Sequence, residues 1–269
     1  MRYQSTRGLC EETICEITCR VADVVEGRGM DLSRCRIPLR DQVVACLLIL
    51  RQNLPQMVVA DLLGVSQPTI SRIWRRITVL LETVLLFLPG GLTEAIQQGH
   101  LILIDGTHAP TGNHPTSRQA SHNYSGKRKL QCLNVQVAST DRGDLIAVSD
   151  PVPGSRHDSK AINLCGWQNL LDSSGATWIA DTAYITTTAI TPIKKLPNQS
   201  RTNHDKDFNT AIARIRVNIE HCIAQLKTWR ILSHGHRGRL KELPGIIRPV
   251  TNLETLRTHT HNQPHEQRL

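Results

Sequence analysis

The sequence predicts an α/β protein: a mixed β-sheet with flanking helices, preceded by an all-α domain that contains a helix-turn-helix. Three observations carry this expectation. Apolar residues recur at helical spacing up to about residue 85. After His100 they shift to continuous or alternating runs. Between the two regimes lies LPGG, Leu88–Gly91, which breaks a helical pattern. The expected organisation is therefore a helical domain over 1–90, an α/β domain over 91–257, and a polar tail without fixed structure over 258–269.

From Leu9 to Val25 the positions Ile14, Ile17, Val21, Val24 and Val25 share one helical face. A second helix runs from Pro38, a helix-start residue, to about Arg51. The segment from Pro55 is the most informative of this third. Val59, Leu62 and Leu63 form an apolar face that ends at Gly64, which suits a C-cap or tight turn. Ser66 is a good N-cap for the next helix, Pro68 fits its first turn, and Ile70, Ile73 and Ile77 mark its inward face. Two helices joined by a short Gly-containing turn describe a helix-turn-helix over about 55–77. In such a unit the second helix enters the major groove. Its reading residues would be Gln67, Thr69, Ser71 and Arg72, with Arg75 and Arg76 nearer the phosphates. An ordinary helical hairpin with a solvated arginine face is the alternative. A short helix around Thr93–Gln98 follows the break.

The α/β part begins with LILI, Leu101–Ile104, ending in Asp105. Leu133, Val135 and Val137 alternate with Asn134 and Gln136, as in a half-buried strand. Leu145–Val148 is a third run, closed by PVPG at 151–154. His157–Leu164 suits a helix, Ala176–Ala180 is a fourth strand ending in Asp181, and Ile212 to Trp229 keeps a 3.6-residue rhythm.

Composition narrows the function classes. The chain has 269 residues, 39% hydrophobic and 20% charged, which excludes a disordered tail. Its longest apolar stretches, Val43–Leu50 and Ile77–Leu88, fall short of the roughly 20 residues that span a bilayer. The N-terminus lacks the apolar core of a signal peptide, so a soluble, intracellular protein is expected. The eight cysteines include no C-x-x-C pair and read as buried thiols. Residues 1–99 hold 11 Arg, no Lys and 10 acids, a net of +1, whereas the remainder holds 21 bases and 13 acids, a net of +8. Nine aromatic residues are too few for single-strand binding by stacked rings, so the surplus charge points to duplex phosphates.

Two carboxylates stand at equivalent strand ends, Asp105 and Asp181. An ionised Asp there is costly unless paired or bound to metal. Each alone reads as a turn or cap residue; together, on strands that can be neighbours, they read as metal ligands. A third acid comes from the last helix, where Arg216, Glu220, Ile223 and Lys227 share one stripe. Its alternative is a surface Arg–Glu pair. Asp158, in SRHDSK, follows Ser155 by three residues, as in a capping box at a helix start. The loop TGNHPTSRQASHNYSGKRKL, 111–130, carries Arg118, Lys127, Arg128 and Lys129, and reads either as a DNA-gripping hairpin or a solvated turn.

In LILIDGTHAP (101–110), PVPGSRHDSKAI (151–162), WIADTAYI (178–185) and RVNIEHCIAQLKTW (216–229), the chain resembles transposases of the DDE endonuclease superfamily, in the Harbinger-like and bacterial insertion-sequence branch. The resemblance runs from the helix-turn-helix to about residue 257. Arg216, Glu220 and Lys227 match the R-x3-E-x6-K signature of the bacterial members. The signature's Tyr, three residues before the Arg, is Ala213 here.

The resemblance implies an RNase-H-like fold, a catalytic triad of Asp105, Asp181 and Glu220, and two divalent cations, Mg²⁺ or Mn²⁺. It implies transposon inverted repeats and target DNA as substrates, and leaves an auxiliary role open for His157 and Asp158. Such a triad positions cations for an in-line displacement with no covalent nucleophile, while Arg216 and Lys227 hold phosphates. A homodimer or higher synaptic oligomer is expected, with no membrane and no nucleotide cofactor. The setting would be the bacterial cytoplasm and nucleoid, or the nucleus of a eukaryotic host. A family member that cuts without joining, or one that only binds DNA as a regulator, are the alternatives. His259, His261 and His265 belong to the expected tail.

Overall fold

A computed structural model describes residues 4–32, 35–85, 91–112, 122–195, 197 and 200–262. These form two compact units, one within Met1–Leu88 and Lys227–Leu269, the other Pro89–Leu226. The sequence suggested a single boundary near 90; here the chain returns to the first unit after Leu226.

The first unit is helical, with α1 (Gln4–Arg7), α2 (Glu11–Gly27), α3 (Leu39–Gln52), α4 (Gln56–Leu63) and α5 (Gln67–Val84). Its core is built by the faces the periodicity marks: Ile14, Ile17 and Val21 of α2, Val43, Leu47 and Leu50 of α3, and Ile70, Ile73 and Ile77 of α5. Leu62 departs from the expectation. It is 64% exposed, so Val59 and Ala60 alone seat α4 in the core. The fully buried Trp229 anchors the returning segment. Its indole N–H donates to the buried Glu254 at 2.8 Å, Arg257 holds the same carboxylate at 2.5 and 2.9 Å, and the Arg51 guanidinium lies 5.3 Å over the ring. Gly8, at φ +87°, lets the backbone pass that ring, since a Cβ there would stand 2.9 Å from it. A last helix runs from Leu243 to Asn262 with Pro249 inside it. The tail expected from 258 therefore begins as helix, continuing a segment in which Val250 and Leu253 are fully buried. Residues 263–269, with His265, and the side chains of His259 and His261 lie outside the described residues, as do Leu88–Gly90 and Arg118.

Among the described residues, the second unit carries α6 (Leu92–Gln97), the strands of a sheet and, besides α6, the helices named below. The strands are β1 (Ile102–Pro110), β2 (Tyr124–Ser125), β3 (Leu130–Thr140), β4 (Leu145–Val148), β5 (Val152–Pro153) and β6 (Trp178–Ile179). They form one mixed sheet with the order β2-β3-β1-β6, and β4 and β5 also pair with β3. β1 is antiparallel to β3 and parallel to β6. The helices are α7 (Asp158–Leu164), α8 (Trp167–Ser174) and α9 (Asn203–Lys227). Ile102, Ile104 and Ala138 meet Ile162 of α7 and Leu171 of α8 on one face, together with Trp178, Ala180 and Tyr184. Trp178 and Tyr184 pack edge to face at 6.1 Å. α9 is tied to the β3–β4 turn, where Asn218 donates to the Asp141 carbonyl and Cys222 to that of Gly143.

Three local expectations change. β1 continues past Ile104 to Pro110, because pairing with β3 carries it beyond the apolar run; Asp105 is a mid-strand residue. Asn134 and Gln136 are not solvent-facing but fully buried, since both faces of β3 are covered. The capping box at Ser155 does not form. α7 begins at Asp158 with His157 as N-cap, and no side chain caps it.

Candidate active site

The two strand carboxylates are brought together by register. β1 and β6 pair in parallel with Ile102 opposite Trp178 and Leu103 opposite Ile179. Asp105 and Asp181 each follow the last paired positions by two residues, and the charge of Asp181 is felt at the Asp105 carboxyl. β6 ends at Ile179, and Asp181 caps the 3₁₀ turn Thr182–Tyr184, its Oδ1 accepting the Ala183 N–H at 2.8 Å. The Asp105 side chain is 20% exposed. Its Oδ1 accepts the Gly106 N–H at 2.8 Å, and Arg216 of α9 approaches its Oδ2 at 3.5 Å. The Asp105 carboxyl is pushed up to about 6. Burial is the main cause, Arg216 opposes it, and the charges of Asp181 and Asp158 add to it. The Arg216 Nε is buried and has no hydrogen-bond partner. This guanidinium therefore retains donor capacity beside the carboxylates.

Glu220, one turn beyond Arg216 on α9, is exposed. Among the described residues no three His, Cys, Asp or Glu side chains gather into a group that could hold a metal. The chemistry of Asp105 nonetheless suits a hard divalent cation: its carboxylate is partly desolvated, feels the negative charges of Asp181 and Asp158, and meets the Arg216 guanidinium at 3.5 Å.

A feature the spacing did not reveal lies behind β1. The Asp158 carboxylate packs against Gly106, where a Cβ would stand 2.6 Å from its Cγ. Its Oδ1 accepts from Asn134 Nδ2 at 2.8 Å, Asn134 Oδ1 accepts from Gln136 Nε2 at 3.1 Å, and Gln136 Oε1 accepts from the Tyr184 hydroxyl. The Tyr184 phenol is held well above its ordinary range, first by burial, then by Asp158, Asp105 and Asp181. The signal available in the sequence was the pair of polar residues inside an otherwise apolar strand.

Residues 104–253, more than half of the chain, match the family described as DDE superfamily endonuclease. The chain belongs to that family. Residues 35–87 match the helix-turn-helix of DDE superfamily endonuclease. A protein of Streptomyces albus G named as a transposase for insertion sequence element IS112 is 27% identical over 197 residues, 73% of this chain and 72% of its own length. A protein of Microchaete diplosiphon named as a transposase for IS702 is 27% identical over 186 residues, 65% of each chain. No solved structure matches. The mixed sheet with flanking helices is the RNase-H-like class expected of this DDE endonuclease, and no described helix is long and apolar enough to cross a membrane.

The helix-turn-helix match spans α3, α4 and α5, and α4–α5 are the pair expected from the sequence. Gly64 caps α4 in the left-handed region at φ +62°, and Ser66 precedes α5, its hydroxyl bonded to that of Thr69 at 3.0 Å rather than to the backbone. Gln67 ties the two helices through Gln56 at 2.9 Å. Ser71 is half-buried, and Arg72 and Arg75 are exposed. Arg76 turns inward, donating to Gln42 Oε1 of α3 at 2.5 Å and to Cys35 Sγ at 3.5 Å, which removes it from the expected outward face. Lys127, Arg128 and Lys129 form the exposed tip of the β2–β3 hairpin, with Lys129 at φ +53°. Lys227 closes the end of α9, its Nζ donating to the Leu232 carbonyl at 3.3 Å. Of the R-x3-E-x6-K stripe, Arg216 meets the Asp105 carboxylate at 3.5 Å. His157 is exposed, as is Ala213 at the place of the signature Tyr.

Proposed function

We propose that this DDE endonuclease is a DNA transposase that cuts at the terminal inverted repeats of a mobile element and joins the freed ends to target DNA. The observation that supports the reading is the parallel pairing of β1 with β6 just before Asp105 and Asp181, together with Arg216 at 3.5 Å from Asp105. The names of the two relatives support it.

Asp105, Asp181 and Glu220 are the residues that would hold two divalent cations, Mg²⁺ or Mn²⁺. Held by these carboxylates, such cations would supply Lewis-acid activation of an attacking oxygen and charge stabilisation for the leaving one. The rest falls to the chain's own groups. Burial of Asp105 keeps its charge poorly solvated and so strongly attractive to a cation. The Arg216 guanidinium holds a non-bridging phosphate oxygen and orients the bond to be cut. Lys127, Arg128 and Lys129 neutralise the backbone at the hairpin tip. Arg72 reads base edges from α5 together with Gln67, Thr69 and Ser71, and Arg75 holds phosphate. Arg76 and Lys227 are engaged within the fold and act as struts. Two element ends require two active sites, so the working form is a homodimer or a higher synaptic assembly, located with chromosomal DNA in the nucleoid of a bacterial host.

A strand-transfer assay with Mg²⁺ and element-end DNA tests the reading. Wild type should yield joined products and Asp181→Ala none. Cleavage without joining would reassign the chain as an endonuclease. Binding without metal-dependent cleavage would leave only a DNA-binding regulator.

A further inference from the structure

The Asp158 carboxylate and the Asp105 carboxylate lie on opposite faces of β1. The β1–β3 register pairs Gly106 with Gln136 and His108 with Asn134, so these positions share one face, while Asp105 pairs with Val137 on the other. On the Gly106 face the hydrogen bonds run in one direction: Tyr184 hydroxyl to Gln136, Gln136 to Asn134, Asn134 to Asp158. Each amide presents its oxygen toward the tyrosine and its nitrogen toward the carboxyl group, so the chain ends on an acceptor, Asp158 Oδ1. Asn134, Gln136 and Tyr184 are each 0% exposed. A buried polar chain gains little over an apolar core of equal volume, whereas its geometry is specific.

The two ends of this chain are the informative part. Tyr184 sits in the 3₁₀ turn that Asp181 caps, and its N–H donates to the Asp181 carbonyl at 3.1 Å. Asp158 sits against Gly106, the residue after Asp105, in a space that only a residue without Cβ leaves open. The chain thus runs beneath the sheet from the turn that carries one carboxylate to the strand that carries the other.

We propose that Tyr184, Gln136, Asn134 and Asp158 form a strut that fixes the spacing of Asp105 and Asp181, with Asp158 its charged end. All four are positioning residues. Asp158 also adds negative potential at the place where a cation would bind. The inference rests on the reading of Asp105 and Asp181 as cation-holding residues. Asp158 is not the N-cap, a position His157 holds, and its carboxylate is bonded instead to Asn134 of β3.

The test is Mn²⁺ binding to the full chain, by titration calorimetry or electron paramagnetic resonance, alongside thermal melting. Asp158→Asn keeps shape and removes charge; Tyr184→Phe keeps the ring on Trp178 and removes only the first donor. Asp158→Asn should weaken Mn²⁺ binding about tenfold or more, the range expected for partners that orient metal ligands, and Tyr184→Phe should weaken it less, in the same direction. A merely structural role would lower the melting temperature and leave Mn²⁺ affinity within twofold of wild type, and that result overturns the proposal. If Asp158→Asn does not fold, Tyr184→Phe alone decides between the same outcomes. Asp181→Asn is the reference. Loss of Mn²⁺ binding there, with unchanged binding in the strut variants, sinks the strut and spares the underlying reading. Wild-type Mn²⁺ affinity in Asp181→Asn sinks that reading, and the strut with it.

Discussion

The two units hold their working charges in opposite ways. In the helical unit, Arg72 and Arg75 stand exposed on α5, where water and salt screen them. In the sheet unit, Asp105 is four-fifths covered and repelled by two other carboxylates. A screened cation attracts DNA weakly and over a distance; a desolvated carboxylate attracts a cation strongly and at one place. The first arrangement suits finding a substrate, the second suits chemistry on it.

This contrast can be broken at either end. The largest effect should come from Asp105→Asn, which should lower Mg²⁺-dependent cleavage by roughly a thousandfold or more while DNA affinity, by gel shift, stays near wild type. Cleavage that survives would remove Asp105 from the chemistry.

The second effect concerns stability without divalent cation. The folded Asp105 titrates at about 6 against 3.8 for an ordinary carboxyl, so the folded state holds its proton more tightly than the unfolded state. Its stabilising contribution is fully present below about pH 4 and is lost as pH rises through about 6. Asp105→Asn removes that loss, and should stabilise the protein at pH 7.5 by on the order of 2–3 kcal/mol relative to the same comparison near pH 4. An equal melting-temperature difference at both pH values would contradict the burial argument.

The smallest effect separates neighbours on α5. Arg75→Ala should reduce the slope of log affinity against log salt by about 1. Arg76→Ala should leave that slope unchanged and lower the melting temperature, since Arg76 joins α5 to Gln42 of α3. Equal slopes for the two variants would erase the distinction drawn between them.

Legibility in the sequence follows the same divide. Helices α2, α3 and α5 were readable because their apolar spacing is local, and Gly64 and Ser66 mark the turn between α4 and α5 by their own backbone preferences. Which way Arg76 points was not readable, because its partner Gln42 lies 34 residues away. In the sheet unit, Asp105 and Asp181 could be singled out from the apolar runs before them. The continuation of β1 past Asp105 could not, since pairing with β3 rather than composition extends it. Asn134 and Gln136 mimicked the polar half of an alternating strand, although helices cover that face and turn both residues into links to Asp158. Asp158 mimicked a capping box because the spacing from Ser155 fits; Gly106, which makes room for it, is 52 positions earlier. Where function depends on which strands meet, residue spacing along one strand carries only half of the message.

The central claim is that Asp105 and Asp181 jointly hold a divalent cation beside Arg216. The most direct measurement is anomalous diffraction from crystals of the full chain soaked in Mn²⁺. A Mn²⁺ peak is expected in contact with carboxylate oxygens of both Asp105 and Asp181. A Mn²⁺-loaded crystal with no peak at that pair, and with the Arg216 guanidinium still on Asp105, would contradict it.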